Sequence, residues 1–328
     1  MRKTAFFNDN AYGYKGSYDH MLDYVFAHGR REEIQRISDL HPVVITSENF
    51  EEHIENLQDL EAIFSTWGMP ALTSEQVSCL PNLKWVFYAA GSTMGFRQPF
   101  LDAGVRVTSA NAANAIPVAE FCLAHILLGM KGYFRNSREA VDPVSAHFLN
   151  GYVGPGNYDC KVSLLGNGSV AMHLKSLLEG FNIEPMIVDS YLHKSDYTLE
   201  DAFSQAQVVS NHFPNVESLK HVFDEKLFRL MPEGAVFINT GRGPQVCHKG
   251  LAKVMADRPD LTAILDVQDP EPPEEDSPLY ALPNVMLSTH IAGSINHEVS
   301  RMADHAIDAY RQWINGNPVP NEVEMQML

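Results

Sequence analysis

Cysteine is scarce. The 328 residues hold four, Cys79, Cys122, Cys160 and Cys247, with no C-x-x-C spacing among them. In a chain this long they read as reduced, mostly buried side chains, which excludes a disulfide scaffold and a zinc site. Long apolar runs are missing too. The strongest, Val118 to Met130, is interrupted by Glu120 and His125 and falls short of the about 20 apolar residues a membrane span needs. Residues Met1 to Asp9 carry two basic side chains but no apolar core of a signal peptide. A cytoplasmic protein without a membrane partner is therefore expected. Basic residues are in deficit: 24 Lys and Arg against 41 Asp and Glu leave a net charge of −17. That field repels phosphate backbones, and no local basic patch offsets it, so nucleic acid is excluded as a partner. Internal repeats and low-complexity tracts are absent.

What is present is ordinary for a globular chain, 45% apolar and 20% charged, and the length suggests two domains at about 150 residues each. Strand-like runs alternate with helix-like runs, the pattern of a parallel α/β sheet covered by helices. In the first third, Pro42–Thr46, Ala62–Thr66, Leu83–Tyr88 and Val105–Thr108 read as buried strands. A long helix is expected from Ile116 to Asn136, with Pro117 in its first turn. Residues 141–160, rich in Gly, Pro and Asn, read as a loop into a second series. Its strands are Lys161–Leu165, Glu184–Val188, Val208–Ser210, Ala235–Ile238, Thr262–Leu265 and Val285–Ser288. A last helix, His297–Trp313, stops at Asn315-Gly316-Asn317-Pro318.

Directly after the strand Val162–Leu165 stands Gly166-Asn167-Gly168-Ser169-Val170-Ala171, opening a helix through Leu178. A lone G-x-G-x-x-G/A carries little weight. Here a strand precedes it, a helix follows, and Asp189 ends the next strand. Gly166 permits the tight turn, Gly168 lets the backbone approach a pyrophosphate, and Ala171 is small enough for close helix–sheet packing. The helix N-terminus at Ser169 and Val170 offers unpaired N–H groups and a positive dipole end to phosphate. Asp189 would accept from the ribose diol and repel a 2′-phosphate, favouring NAD over NADP. His193, Lys194 and Lys220 lie close enough in sequence to bear on that preference.

Three later segments place reactive side chains just past predicted strands, where ligands of open α/β sheets bind. Arg242 sits between Gly241 and Gly243, Glu271 in a Pro-stiffened turn beyond Asp266, and His290 in the small-residue loop Ser288–Gly293. Singly, each has a blander reading: a surface ion pair, a solvated charge, a packing histidine. Together, a guanidinium, a carboxylate and an imidazole on a nucleotide-binding sheet suit hydride transfer to a 2-keto acid.

The sequence resembles the D-isomer-specific 2-hydroxyacid dehydrogenase family from about Leu83 to Val323. The resemblance is carried by Asn82-Leu83-Lys84-Trp85 with Ala89-Ala90-Gly91, Asn114–Glu120, the glycine turn with Asp189-Ser190-Tyr191, and Ile238–Gly243. The stretches Asp266–Pro272, Leu282–Val285, His290–Gly293 and Gly316–Val323 complete it. It implies two Rossmann-like doubly wound α/β domains: an NAD-binding domain, 113–296, inserted into a discontinuous substrate domain, 1–112 and 297–328. By the resemblance Arg242, Glu271 and His290 take the catalytic positions. His290 would give the carbonyl oxygen its proton, Glu271 would orient the ring and favour its charged form, and Arg242 would hold the carboxylate and carbonyl. Backbone N–H groups of Ala90, Gly91 and Ser92 would bind the substrate carboxylate. Asp266 would hold the nicotinamide amide, and Phe213, Pro214 and Thr240 would line the cofactor. A homodimer is expected, with Ala119–Arg135 in the contact. Trp67, Ser65 and Thr66 line the substrate pocket, pack in the core or lie in an exposed turn.

Departures are few. Ala171 replaces a commoner glycine, Gly241 stands where Ala is more usual, Thr289 replaces a frequent Pro before the histidine, and Cys160 sits where Gly often precedes the first strand. The alternatives are an NAD(H)-sensing, corepressor-like binding protein on the same fold, and a formate- or phosphite-type oxidoreductase. The pairing of histidine with Glu instead of Gln favours the hydroxyacid branch over the formate one.

Overall fold

Short apolar runs that can be buried on both faces become parallel strands, each returned by a helix. The computed structural model describes residues 1–9, 20–190 and 194–323. Tyr191 and His193 therefore lie outside the described residues. The chain divides into two units, Met1–Asn114 with Ser294–Leu328, and Ala115–Gly293.

The first unit holds β1 (Lys3–Phe6), β2 (Asp39–Leu40), β3 (Ala62–Ser65), β4 (Trp85–Tyr88) and β5 (Arg106–Ser109), all parallel in the order β2-β1-β3-β4-β5. Helix Val299–Ile314 covers one face with an apolar stripe that includes Met302, Ala306 and Tyr310. The Tyr310 ring meets Phe64 at 5.2 Å and Phe87 at 5.6 Å. Phe50, Leu57, Val77 and Phe100 fill the other face. One expectation fails here, and one open alternative is resolved. Pro42–Thr46 is not a strand: pairing with β1 is confined to Asp39–Leu40 and one bridge, Phe7 to Ile45. Pro42 has no N–H to give the ladder, so the edge strand ends before it. The partner it yields to is β1 itself, whose short run Thr4-Ala5-Phe6 carries little period-two signal. Ser65 and Thr66 are fully buried, and their hydroxyls donate to the Phe7 and Ala89 carbonyls, so these two are core residues.

In the second unit β6 (Tyr158–Leu165), β7 (Asn182–Val188), β8 (Val208–Asn211), β9 (Val236–Asn239), β10 (Thr262–Leu265) and β11 (Val285–Leu287) form one parallel sheet ordered β11-β10-β9-β8-β6-β7. The chain passes from β6 out to β7, then returns to β8 on the other side of β6. That reversal opens a crevice beyond the carboxyl ends of β6 and β8, where such sheets bind ligands.

The long helix runs Asn111–Met130, and a separate helix, Tyr133–Glu139, follows a break at Gly132, whose φ is +74°. It starts five residues before the expected Ile116, so Pro117 lies inside the helix and not in its first turn. At 20 residues and mean hydropathy 1.5 the helix is long and apolar enough to cross a membrane, by length and composition only. Its Ala119, Cys122, Ile126 and Met130 are buried in the core of the second unit. All four cysteines are free; Cys122 alone of them is buried, the other three being partly exposed.

Candidate active site

β6 ends at Leu165, and the chain turns at Gly166 with φ +123°. A Cβ there would lie 2.8 Å from the carbonyl oxygen of His212, the residue that follows β8. Only glycine fits, in both conformation and space, so this turn closes directly over the crevice. Gly168 differs. A Cβ added to it would meet nothing within 4 Å, so the packing of the protein does not demand glycine. It caps helix Ser169–Leu178 with extended backbone and no side-chain hydrogen bond. Asn167, Gly168 and Ser169 are exposed, so the positive end of this helix lies at the surface of the turn, the kind of place where a phosphate binds. Ala171, fully buried, seats the helix against the sheet.

Asp189 follows β7. Its carboxylate accepts from Asn167 Nδ2 at 2.6 Å, and its N–H donates to Ser195 Oγ. Asn167 thus ties the acidic residue to the glycine turn, so the groups expected to hold phosphate and ribose share one hydrogen-bonded corner. These residues fit a dinucleotide.

Beyond β8 and β9 lies a buried amide network. Asn211 Nδ2 donates to Asn239 Oδ1 at 2.8 Å and Gln245 Oε1 at 2.6 Å, and Asn211 Oδ1 accepts from the Phe213 N–H at 3.0 Å. Sequence reading passed over these three amides, although Asn211 and Asn239 each close an apolar strand and so break its pattern with a buried polar group. Thr240 Oγ1 lies 3.4 Å from His212 Nδ1, and His212 Nε2 lies 3.0 Å from Ser210 Oγ. Burial pushes the His212 imidazole down to about 3 and the Cys122 thiol beside Thr240 up to about 11. Both are thereby held neutral near pH 7.

Arg242 is exposed, with its Nη1 donating to the Gly241 carbonyl at 2.7 Å, and it makes no ion pair with a described carboxylate. The next residue, Gly243, touches the turn that carries Glu271. A Cβ on it would fall 1.8 Å from the Gln268 carbonyl oxygen. Close approach of these two backbones brings the Arg242 and Glu271 loops together. The buried Gln268 amide reinforces the join, donating to the carbonyls of Leu265 at 2.8 Å and Ser288 at 3.4 Å.

The His290 loop is anchored by Asp266, which is 1% exposed. Its Oδ1 accepts from Ser288 Oγ at 2.7 Å and the Ile291 N–H at 2.8 Å, and its Oδ2 from the Ala292 N–H at 2.9 Å. Three of the carboxylate's roughly four acceptor positions are thereby used within the loop. His290 itself has φ +58° and is exposed. Its Nδ1 lies 2.6 Å from Glu271 Oε1, and Glu271 Oε2 accepts from the Gln268 N–H at 3.4 Å. The ring is exposed, and among the described residues no hydrogen bond reaches its opposite nitrogen, Nε2. Ala90, Gly91 and Ser92 follow β4 in the first unit, where the Ser109 hydroxyl bonds to the Gly91 carbonyl at 2.5 Å.

Comparison with known proteins now bears on this geometry. The family model described as D-isomer specific 2-hydroxyacid dehydrogenase, NAD binding domain, matches residues 128–292. Glyoxylate reductase of Korarchaeum cryptofilum is 26% identical over 288 residues, 84% of this chain and 86% of that one. Glyoxylate/hydroxypyruvate reductase B of Cronobacter sakazakii is 30% identical over 203 residues, covering 57% of this chain and 62% of its own. Among solved structures, the apo D-mandelate dehydrogenase of Rhodotorula graminis superposes with a TM-score of 0.74 at 19% identity, covering 99% of this chain and 98% of that one. At that identity the likeness is one of fold.

Proposed function

The chain belongs to the D-isomer specific 2-hydroxyacid dehydrogenase family and carries its NAD-binding domain, and from this we propose that it reduces a small 2-keto acid to the D-2-hydroxy acid. The 2.6 Å contact between His290 and Glu271, beside the Arg242 loop, is the observation that carries the reading. When bound, NADH would supply the hydride. The glycine turn and the N–H groups of Ser169 and Val170 would hold its pyrophosphate, Asp189 its ribose, and Phe213, Pro214, Thr240 and Asp266 would line it. His290 Nε2 donates the proton that the carbonyl oxygen needs as it becomes an alcohol, while Glu271 keeps the ring oriented through Nδ1. Arg242, lacking a described carboxylate partner, is available to the substrate carboxylate and to the charge developing on oxygen. In the first unit, the N–H groups of Ala90, Gly91 and Ser92 are proposed donors to the carboxylate. The names of the relatives, glyoxylate and hydroxypyruvate reductases, support small substrates of that size.

We also infer a homodimer. Helix Asn111–Met130 spends Ala119, Cys122, Ile126 and Met130 on its own core, but the following loop leaves Val141, Val144, Phe148, Leu149 and Val153 more than 70% exposed. A second copy covering them would remove this apolar surface from water. The test of function is an initial-rate screen of 2-keto acids with NADH and NADPH. Turnover of glyoxylate or hydroxypyruvate with NADH supports the reading. Tight NADH binding without turnover of any acid replaces it with the NAD-sensing alternative.

A further inference from the structure

Gln245 stands in the short 3₁₀ turn after Arg242 and is 1% exposed. All four hydrogen-bonding positions of its carboxamide are taken. Oε1 accepts from the Arg242 N–H at 3.2 Å and from Asn211 Nδ2 at 2.6 Å. Nε2 donates to the carbonyls of Phe213 at 3.1 Å and Pro214 at 2.7 Å. Exchanging oxygen and nitrogen would set donors against donors and an oxygen against two carbonyls, so the orientation is determined.

The other side of the Arg242 peptide is held as well, by Asn239 Nδ2 on its carbonyl at 3.3 Å. Asn239 Oδ1 also accepts the Gly241 N–H at 3.1 Å. A Cβ on Gly241 would lie 2.6 Å from Asn211 Nδ2 and 3.0 Å from Gln245 Oε1. The departure from alanine at 241 thus makes room for the amide pair: the two features come as a set.

We propose that Gln245 is a positioning residue for the reduction, clamping the Arg242 peptide to the carbonyls of Phe213 and Pro214 through one buried carboxamide. The proposal rests on the reductase reading above. It gives the substrate-facing guanidinium and the cofactor-lining loop a common reference, so neither can shift alone.

Gln245→Glu tests this at constant shape. The new carboxyl keeps both acceptor roles but, when ionised, sets its charge against two carbonyl oxygens. When protonated it donates one bond. Titratable groups on the adjoining segments are Arg242, His212, His221 and Cys247, and wild type carries them all, so the variant-to-wild-type ratio cancels their titration. The ratio of kcat/KM for glyoxylate should be about tenfold or more below unity near pH 8, from the lost and reversed hydrogen bonds, and should recover toward unity near pH 5.5. A ratio flat with pH and within twofold of unity overturns the proposal. Gln245→Met, which removes all four bonds without a titrating group, should lower kcat/KM by about tenfold at every pH, and serves if Gln245→Glu does not fold; wild-type kcat/KM in it also overturns the proposal. If wild type turns over no 2-keto acid, the reductase reading fails by itself. The clamp is then read in NADH affinity, which Gln245→Glu should weaken more near pH 8 than near pH 5.5. Equal affinities overturn it.

Discussion

Replacing His290 by Gln separates chemistry from architecture, because the structure sets a low ceiling on the architectural cost. The His290 side chain is 50% exposed, Glu271 is 39% exposed, and one contact of 2.6 Å joins them. An exposed pair of this kind is worth about 0–1 kcal/mol. Over a domain this size that moves Tm by about 2–4 °C at most. A proton donor acting in the transition state is worth about 10²–10⁴ in rate, or about 2.7–5.4 kcal/mol of barrier. The two readings therefore differ by several kcal/mol, well outside error. Initial rates from NADH absorbance with glyoxylate should fall by that factor, while a fluorescence titration returns wild-type NADH affinity and Tm barely moves. His290→Asn, which suits the left-handed φ of +58° better, controls for backbone strain and should lose as much activity. A kcat within about tenfold of wild type in both variants, with NADH bound normally, removes His290 from the mechanism.

Other consequences follow from the same geometry. Gly168→Val places its side chain in space that holds no protein atom within 4 Å, so Tm should stay put while the NADH Kd rises about tenfold or more; unchanged affinity denies the phosphate site. Burial holds His212 neutral with its ordinary 6.5 lowered to about 3, so the unfolded chain takes up a proton below pH 6.5 that the folded one refuses. Stability is then lost as pH falls from 6.5 toward 3, by about 2 kcal/mol at pH 5. His212→Gln should flatten that acid limb in urea unfolding, and an identical limb contradicts the assignment. Phe148→Asp with Leu149→Asp charges two side chains that are 82% and 73% exposed, so the fold should survive while light scattering reports a monomer; a dimer of unchanged affinity moves the interface elsewhere.

Much of the second unit could be read along the chain because its signals are local. Strand, glycine turn and helix from Val162 to Leu178 are consecutive, and each demands its residue types at fixed spacing. The edge of the first sheet could not be read that way. Four residues, Lys3–Phe6, take an inner position because neighbours at Asp39 and Ala62 pair with them, while the richer run at Pro42–Thr46 is cut off by a missing N–H. Helix ends were misjudged for a related reason: Asn111–Ile116 has no strong period of its own and is helical through its packing.

By itself, then, the amino-acid order determined the alternation of elements, the consecutive strand, glycine turn and helix of Val162–Leu178, and the guanidinium, carboxylate and imidazole proposed for the reaction. Only the tertiary structure decided that His290 and Glu271 lie 2.6 Å apart, that Asp266 spends its carboxylate on the 288–292 loop, and that three buried amides carry the peptide of Arg242. The reason is physical. Local pattern records what each segment buries, whereas the pairing of polar groups such as Asn211 and Gln245, 34 residues apart, depends on sheet order, which no single segment contains.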